Sequence, residues 1–175
     1  MNQPIWELFE DGTATPVAWQ DHQPNPRFAI YSSGGATNPN DDLVWDKETG
    51  LIWPRNTNPK TNAMTWLDAN TTCREFKLAN RTGWRLPTVE ELSSLIHTRN
   101  STPALPTGHP FLSVQFGDGV WGYWTSTNQE NPAVSAWFVH LGSGGAGLAG
   151  KGSNPTSLGF MWPVRGGRGG VSWNW

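Results

Sequence analysis

The sequence predicts an α+β domain, with two helices set between β hairpins and followed by a run of antiparallel strands. Three observations carry this. Helical periodicity is confined to two short stretches, near residues 65–76 and 88–96. Runs rich in aromatic and β-branched residues fill the chain from Val120 onward. Turn-forming residues such as Asp11-Gly12 and Thr49-Gly50 separate the apolar runs of the first third. At 175 residues the chain is long enough for one domain with a real core.

Ile5 to Phe9 and Pro16 to Trp19 flank Glu10-Asp11-Gly12-Thr13, which predicts a first hairpin because Asp-Gly accepts the positive φ of a tight turn. His22 to Asn40, rich in Pro, Asn, Ser and Gly, reads as an ordered loop or linker, so residues 1–40 form an extension and 41–175 the main domain. Leu43 to Asp46 and Leu51 to Trp53, separated by Lys47-Glu48-Thr49-Gly50, predict a second hairpin. Thr65 with Asp68 opens the first helix, and Trp66, Ala69, Cys73 and Phe76 form its inward face. Thr88 with Glu91 caps the second, whose stripe is Val89, Leu92, Leu95 and Ile96. Both stripes are expected to be buried against the sheet. Val120 to Asn128, Val134 to Leu141 and Leu158 to Arg165 read as strands, the last an edge or bulged strand because Pro163 cannot donate to a ladder. Gly142 to Gly152, with six glycines, reads as a loop.

Composition narrows the function classes. Charged residues make up 15% of the chain, below the roughly 25% usual in soluble domains, so its surface rests on neutral Asn, Thr, Ser and Gly. A formal net charge of -2 gives no global attraction to nucleic acid or acidic membrane. No run approaches the ~20 apolar residues of a membrane span, so no membrane insertion is expected. Met1 to Phe9 lacks the basic start and apolar run of a signal peptide, so the chain either avoids that export route or starts after a removed leader. Cys73 has no internal disulfide partner and reads as a small packing group. The glycines near 142–152 lack the Gly-Lys-Ser/Thr ending of a phosphate cradle. His22, His97, His109 and His140 are scattered without a paired zinc spacing, and His140 reads as a half-buried, satisfied strand residue.

Five segments occur together in order: Asp46-Lys47-Glu48-Thr49-Gly50-Leu51-Ile52-Trp53, Trp84-Arg85-Leu86-Pro87-Thr88-Val89-Glu90-Glu91-Leu92, Tyr123-Trp124-Thr125-Ser126-Thr127, Ala136-Trp137-Phe138-Val139, and Trp162-Pro163-Val164-Arg165-Gly166-Gly167. The set, spanning roughly Asp41 to Gly170, resembles the DUF1566 family, the type of domain that ends the Legionella collagen-like adhesin. The resemblance implies a C-type lectin-like fold, related to that of formylglycine-generating enzymes, and an extracellular, cell-surface or virion setting. Those enzymes oxidise through a cysteine pair. With Cys73 alone, the resemblance carries the fold and not that catalysis, which leaves the enzyme as a distant alternative. Calcium-dependent lectins use a Glu-Pro-Asn type loop and a Trp-Asn-Asp strand. Here Glu130-Asn131-Pro132 has another order and Trp173-Asn174-Trp175 lacks the Asp, so no calcium ligands are assigned and no cofactor is expected, with calcium as the lesser alternative.

The resemblance therefore implies non-catalytic ligand recognition, with a glycan as the expected partner and a protein receptor, bound by a variable display scaffold, as the alternative. An aromatic ring offers a flat apolar face to a sugar, while amides and carboxylates bond its hydroxyls. Trp45, Trp53, Trp66, Trp84, Trp124 and Trp137 fall at expected strand or helix positions and are expected in the core. Trp121, Tyr123 and Trp162, beside glycines or on the edge strand, are the rings expected at a binding face, with Asn128, Gln129 and Glu130 supplying polar groups from the neighbouring loop. Arg74, Lys77 and Arg81, at i, i+3 and i+7, would share one helix face as a polyanion patch, or else complement the helix C-terminus. Arg85 reads as structural, pairing with a buried carbonyl or carboxylate.

Overall fold

The computed structural model describes residues 5–8, 14–17, 20–21, 25–31, 38–116, 120, 122–130, 134–152 and 157–166. The architecture is α+β, as expected. Strands β1 (Ile5–Leu8) and β2 (Ala14–Val17) pair antiparallel with Ile5 opposite Val17, so the first hairpin is present; its turn residues lie outside the described set. A four-stranded antiparallel sheet follows in chain order: β3 (Gln20–Asp21), β4 (Phe28–Tyr31), β5 (Leu43–Asp46) and β6 (Leu51–Pro54).

Here the expected loop over 22–40 is corrected. Phe28 to Tyr31 pair with Leu43 to Asp46, and Phe28, Ala29 and Ile30 are buried, so the segment before residue 41 supplies core as well as backbone. Its anchor is electrostatic. Asp46 is 0% exposed, and its carboxylate accepts from Arg27 Nε at 2.8 Å and Nη2 at 2.6 Å, from the Glu48 amide at 3.1 Å and from the Thr49 hydroxyl at 2.7 Å. A buried carboxylate is tolerable only when so paired. The same bonds close the β5–β6 turn, where Gly50 has φ of 73°. Arg27 Nη1 also donates to the Ser94 carbonyl at 3.1 Å, tying this hairpin to the end of the second helix.

Helix α1 (Trp66–Glu75) starts where Thr65 Oγ1 accepts from the Asp68 amide at 3.2 Å. Helix α2 (Val89–Ser93) carries the full reciprocal cap. Thr88 Oγ1 accepts from the Glu91 amide at 3.2 Å, and Glu91 Oε2 accepts from the Thr88 amide at 2.8 Å. It is shorter than its apolar stripe, yet Leu95 just beyond it is buried. Ala69, Cys73, Phe76 and Leu92 are buried as expected, whereas Trp66 and Ile96 are only partly covered.

The last sheet is β7 (Tyr123–Asn128), β8 (Ser135–Val139) and β9 (Ala146–Gly150), antiparallel and in that order. Strand β9 replaces the loop expected over 142–152. Conversely, residues 159–165 do not form the expected strand; they cross the molecule through single bridges, Gly159 to Met64, Phe160 to Tyr123, Val164 to Arg85 and Arg165 to Ile52. Each bridge residue exchanges backbone bonds with a different segment, and Pro163, lacking an N–H, falls where none is needed. Glycine permits two close backbone approaches here: a Cβ on Gly122, whose φ is 127°, would sit 2.5 Å from the Val139 carbonyl oxygen, and one on Gly159, at the crossing itself, would sit 2.8 Å from the Gly122 carbonyl oxygen.

Strand alternation divides the apolar residues between two cores. Tyr123 and Val139 join Leu92 and Leu95 on one side, whereas Trp124, Ala136 and Ala149 join Ala69 and Cys73 on the other. The β7–β9 sheet thus has α2 against one face and α1 against the other. Leu43 and Val44, and Met161 and Trp162, split between the cores in the same way. Trp53, Trp84 and Trp124 are core residues as expected, while Trp45 and Trp137 are partly exposed.

Candidate functional site

Two of the rings expected at the binding face are in the core. Trp162 is 0% exposed, with its ring 4.8 Å from Phe111, 4.9 Å from Trp53 and 5.8 Å from Tyr123, and its Nε1 donates to the Pro54 carbonyl at 3.0 Å. Tyr123 is equally enclosed. Its hydroxyl accepts from the Gln115 amide at 2.8 Å and lies 2.8 Å from Thr57 Oγ1, which in turn donates to the Ser113 carbonyl at 2.9 Å. The phenol therefore donates to Thr57, and burial pushes its pKa up to about 12. The physical reason for both corrections is that bridges hold residues 159–165 between segments, and a sheet covered on both faces leaves neither ring free for a ligand. Trp121 lies outside the described residues.

The polar half of the expected face is at the surface. Asn128 and Glu130 are exposed and Gln129 is partly so, at the end of β7 where the chain turns toward β8. A partner that the sequence reading missed joins them. Lys151, directly after β9, donates from Nζ to Asn128 Oδ1 at 3.1 Å, and the same ammonium stands 4.8 Å from the centre of the Trp66 ring. Trp66 is tied to β7 by its own Nε1, which donates to the Thr125 carbonyl at 2.7 Å. A partly exposed ring, a cation and a carboxamide are thus fixed side by side, flanked by Gln129 and Glu130. One signal for Lys151 was available: it is the single Lys, Arg, Asp or Glu between Glu130 and Arg165.

The three-cation patch is corrected as well. Arg74 and Lys77 are exposed, but Arg81 is 2% exposed, with its Nη1 donating to the Ala79 carbonyl at 2.7 Å and its guanidinium 4.8 Å from the Tyr31 ring centre. Helix α1 stops at Glu75, and Ala79 and Asn80 take positive φ, so the i+7 relation to Arg74 does not exist. Arg85 is structural, as expected. It donates two parallel hydrogen bonds to the Glu91 carboxylate at 2.7 and 2.6 Å and also donates to the Leu86 and Gly166 carbonyls. Burial alone would raise the Glu91 pKa; hydrogen bonds from Arg85 and Thr88, with the Arg85 charge, outweigh it and hold that carboxyl below its ordinary value. His140 is partly buried, and its Nδ1 accepts from the Ser143 amide at 3.2 Å. Burial pushes the Cys73 thiol up to about 12. Among the described residues, no three His, Cys, Asp or Glu side chains converge on a metal position. No helix among them is long and apolar enough to cross a membrane.

The α+β scaffold, with its β7–β9 sheet covered on both faces, presents a polar loop cluster beside the half-exposed Trp66. The chain belongs to the Lcl C-terminal domain family, that of the Legionella collagen-like protein, whose model matches residues 42–165. Membership suggests an adhesin-type domain. No curated protein and no solved structure matched the chain.

Proposed function

We propose that this domain is a non-catalytic recognition module of C-type lectin-like architecture that binds glycans at a cell or virion surface, without a cofactor. The observation that carries the reading is the Trp66, Lys151 and Asn128 cluster. The indole face packs against the apolar C–H face of a sugar ring, and Lys151, Asn128, Gln129 and Glu130 bond its hydroxyl or acidic groups. The family membership supports an adhesive role. A protein receptor is the second reading, favoured by Leu67 and Val134, which are 61% and 62% exposed next to Trp66 and Lys151 respectively.

A glycan array probed with the full chain, with and without calcium, tests the proposal. Concentration-dependent binding that survives chelation is expected, and Lys151→Ala should weaken it by about tenfold, the size of one lost charged hydrogen bond. The melting temperature should hold, since Lys151 is at the surface. Absence of any glycan signal, together with capture of a protein ligand, would replace this reading with the second one. Turnover of a ligand would move the domain to the enzymes.

A further inference from the structure

Strand β7 leaves the ladder to β8 for three residues. Trp124 stands opposite Phe138 and Asn128 opposite Ala136, so Thr125, Ser126 and Thr127 together face the single residue Trp137, a bulge of two extra residues. That number decides a direction. Side chains alternate along a strand, so one extra residue would turn Asn128 toward α2, whereas two keep it on the face of Trp124 and Ala136. Lys151, whose amide donates to the Val134 carbonyl at 2.9 Å, falls on that same face two positions beyond Ala149. Trp66 packs there as well, against the cluster that holds Ala136 and Ala149.

The bulged residues bond to partners on three other elements. The Thr125 hydroxyl, on a residue 0% exposed, donates to the Trp137 carbonyl at 2.8 Å, while the Thr125 carbonyl accepts from Trp66 Nε1 at 2.7 Å. Further along, the Ser126 amide donates to the Pro87 carbonyl at 2.7 Å and Thr127 Oγ1 accepts from the Val89 amide at 3.0 Å, which pins the bulge to the start of α2. Thr125 therefore acts in two directions at once: its side chain braces the bulge against β8, and its main chain holds the indole. We propose that Thr125 is the positioning residue of the recognition site, fixing the Trp66 ring under the Lys151 ammonium through a carbonyl that its own hydroxyl keeps in place. The effect on binding rests on the glycan reading; the effect on the ring does not.

A ring serves recognition best when it is held before the ligand arrives. Trp66 is the first residue of α1 and only partly covered, so packing restrains it less than a core ring, and the Nε1 bond supplies the directional tie. The same bulge delivers Asn128, whose Oδ1 accepts from Lys151 Nζ at 3.1 Å. Ring and carboxamide, the two groups that hold the Lys151 ammonium, thus both take their places from residues 125–127.

NMR of the full chain tests the positioning without a ligand. An ammonium 4.8 Å from the centre of an indole ring carries its ε-methylene protons into the ring's shielding region, so the Lys151 signal should lie upfield of an ordinary lysine's. Thr125→Val, which keeps the β-branched shape and removes the hydroxyl, should lose that upfield shift, and Thr125→Ser should restore it. Cys73 should stay unreactive in both variants, which shows that α1 is still docked. Independently of any variant, the Trp66 indole N–H of the native chain should exchange slowly with solvent. On the glycan array Thr125→Val should weaken binding by about three- to tenfold, the range of one lost hydrogen bond, with Thr125→Ser near native. A blank array for the native chain would remove the glycan reading and leave the NMR result to judge the positioning. A Lys151 signal that is not upfield in the native chain, that survives Thr125→Val, or that Thr125→Ser fails to restore would overturn the proposal, as would fast exchange of the Trp66 indole N–H.

Discussion

Replacing Arg27 with leucine would strip a buried carboxylate of its counter-charge. Asp46, 0% exposed, accepts four hydrogen bonds, two of them from Arg27 at 2.8 and 2.6 Å. The variant leaves only the Glu48 amide and Thr49 hydroxyl, and also loses the bond to the Ser94 carbonyl. Breaking a buried pair from one side costs about 3 to 5 kcal/mol, and the two surviving donors place this case near the lower end. For a chain of this size roughly 3 kcal/mol corresponds to a fall of about 6 to 12 °C in melting temperature. Urea and thermal unfolding at neutral pH would measure it. Adding Asp46→Asn to Arg27→Leu should restore much of the loss, because the unpaired charge goes, and the double-mutant cycle should show strong coupling. The family-matched fragment 42–165 alone, lacking Arg27 and buried Phe28, Ala29 and Ile30, should fail to give a cooperative transition. A loss under about 1 kcal/mol with no coupling, or a stable fragment, would refute the claim that residues 25–31 are integral to the domain.

Two further outcomes follow from the ionisable groups. The Glu91 carboxyl is held below its ordinary pKa of 4.5, so its contribution is complete above that value and is lost as pH falls through the lower folded-state pKa. Glu91→Gln should therefore flatten the acid limb of a stability profile, and parallel limbs for the two proteins would contradict this. Cys73, 0% exposed with its thiol pushed up to about 12, should react with a thiol reagent only at the rate of unfolding, and rapid labelling of the native chain would show that α1 is misplaced.

Local chemistry was legible in the sequence. The Thr88–Glu91 cap, the turn after Asp46 and the buried face of α1 rest on residues a few positions apart, and each forms as its spacing implies except at Trp66, which stays partly exposed. What sequence hid was set by distant partners. Phe28-Ala29-Ile30-Tyr31 is too short an apolar run to declare a strand until β5 pairs with it. Ala146-Gly147-Leu148-Ala149-Gly150 has poor strand propensity, and only the ladder to β8 makes it β. Trp162 and Tyr123 carry the residue types of a sugar site and of a core alike, and the bridges of residues 159–165 decide between them. Arg81 was misread because a periodicity argument assumes the helix continues, whereas α1 stops at Glu75. Of the expected face, Asn128, Gln129 and Glu130 reach the surface, and the ring and cation beside them come from Trp66 and Lys151.

The bridging segment 159–165 has a consequence for the order in which the domain can be made. Its seven residues stitch to Ile52, Met64, Arg85 and Tyr123, and Trp162 sits among the rings of Trp53, Phe111 and Tyr123. On a ribosome, everything up to about residue 158 emerges with that aromatic hollow open and with four distant backbone edges waiting. Contacts of such long sequence separation form late and slowly, and chains grow by only about 5 to 20 residues per second. The nascent chain must therefore hold together as hairpins and capped helices until its last strand-like stretch arrives, and a chain cut short before Arg165 presents rings instead of a sealed core.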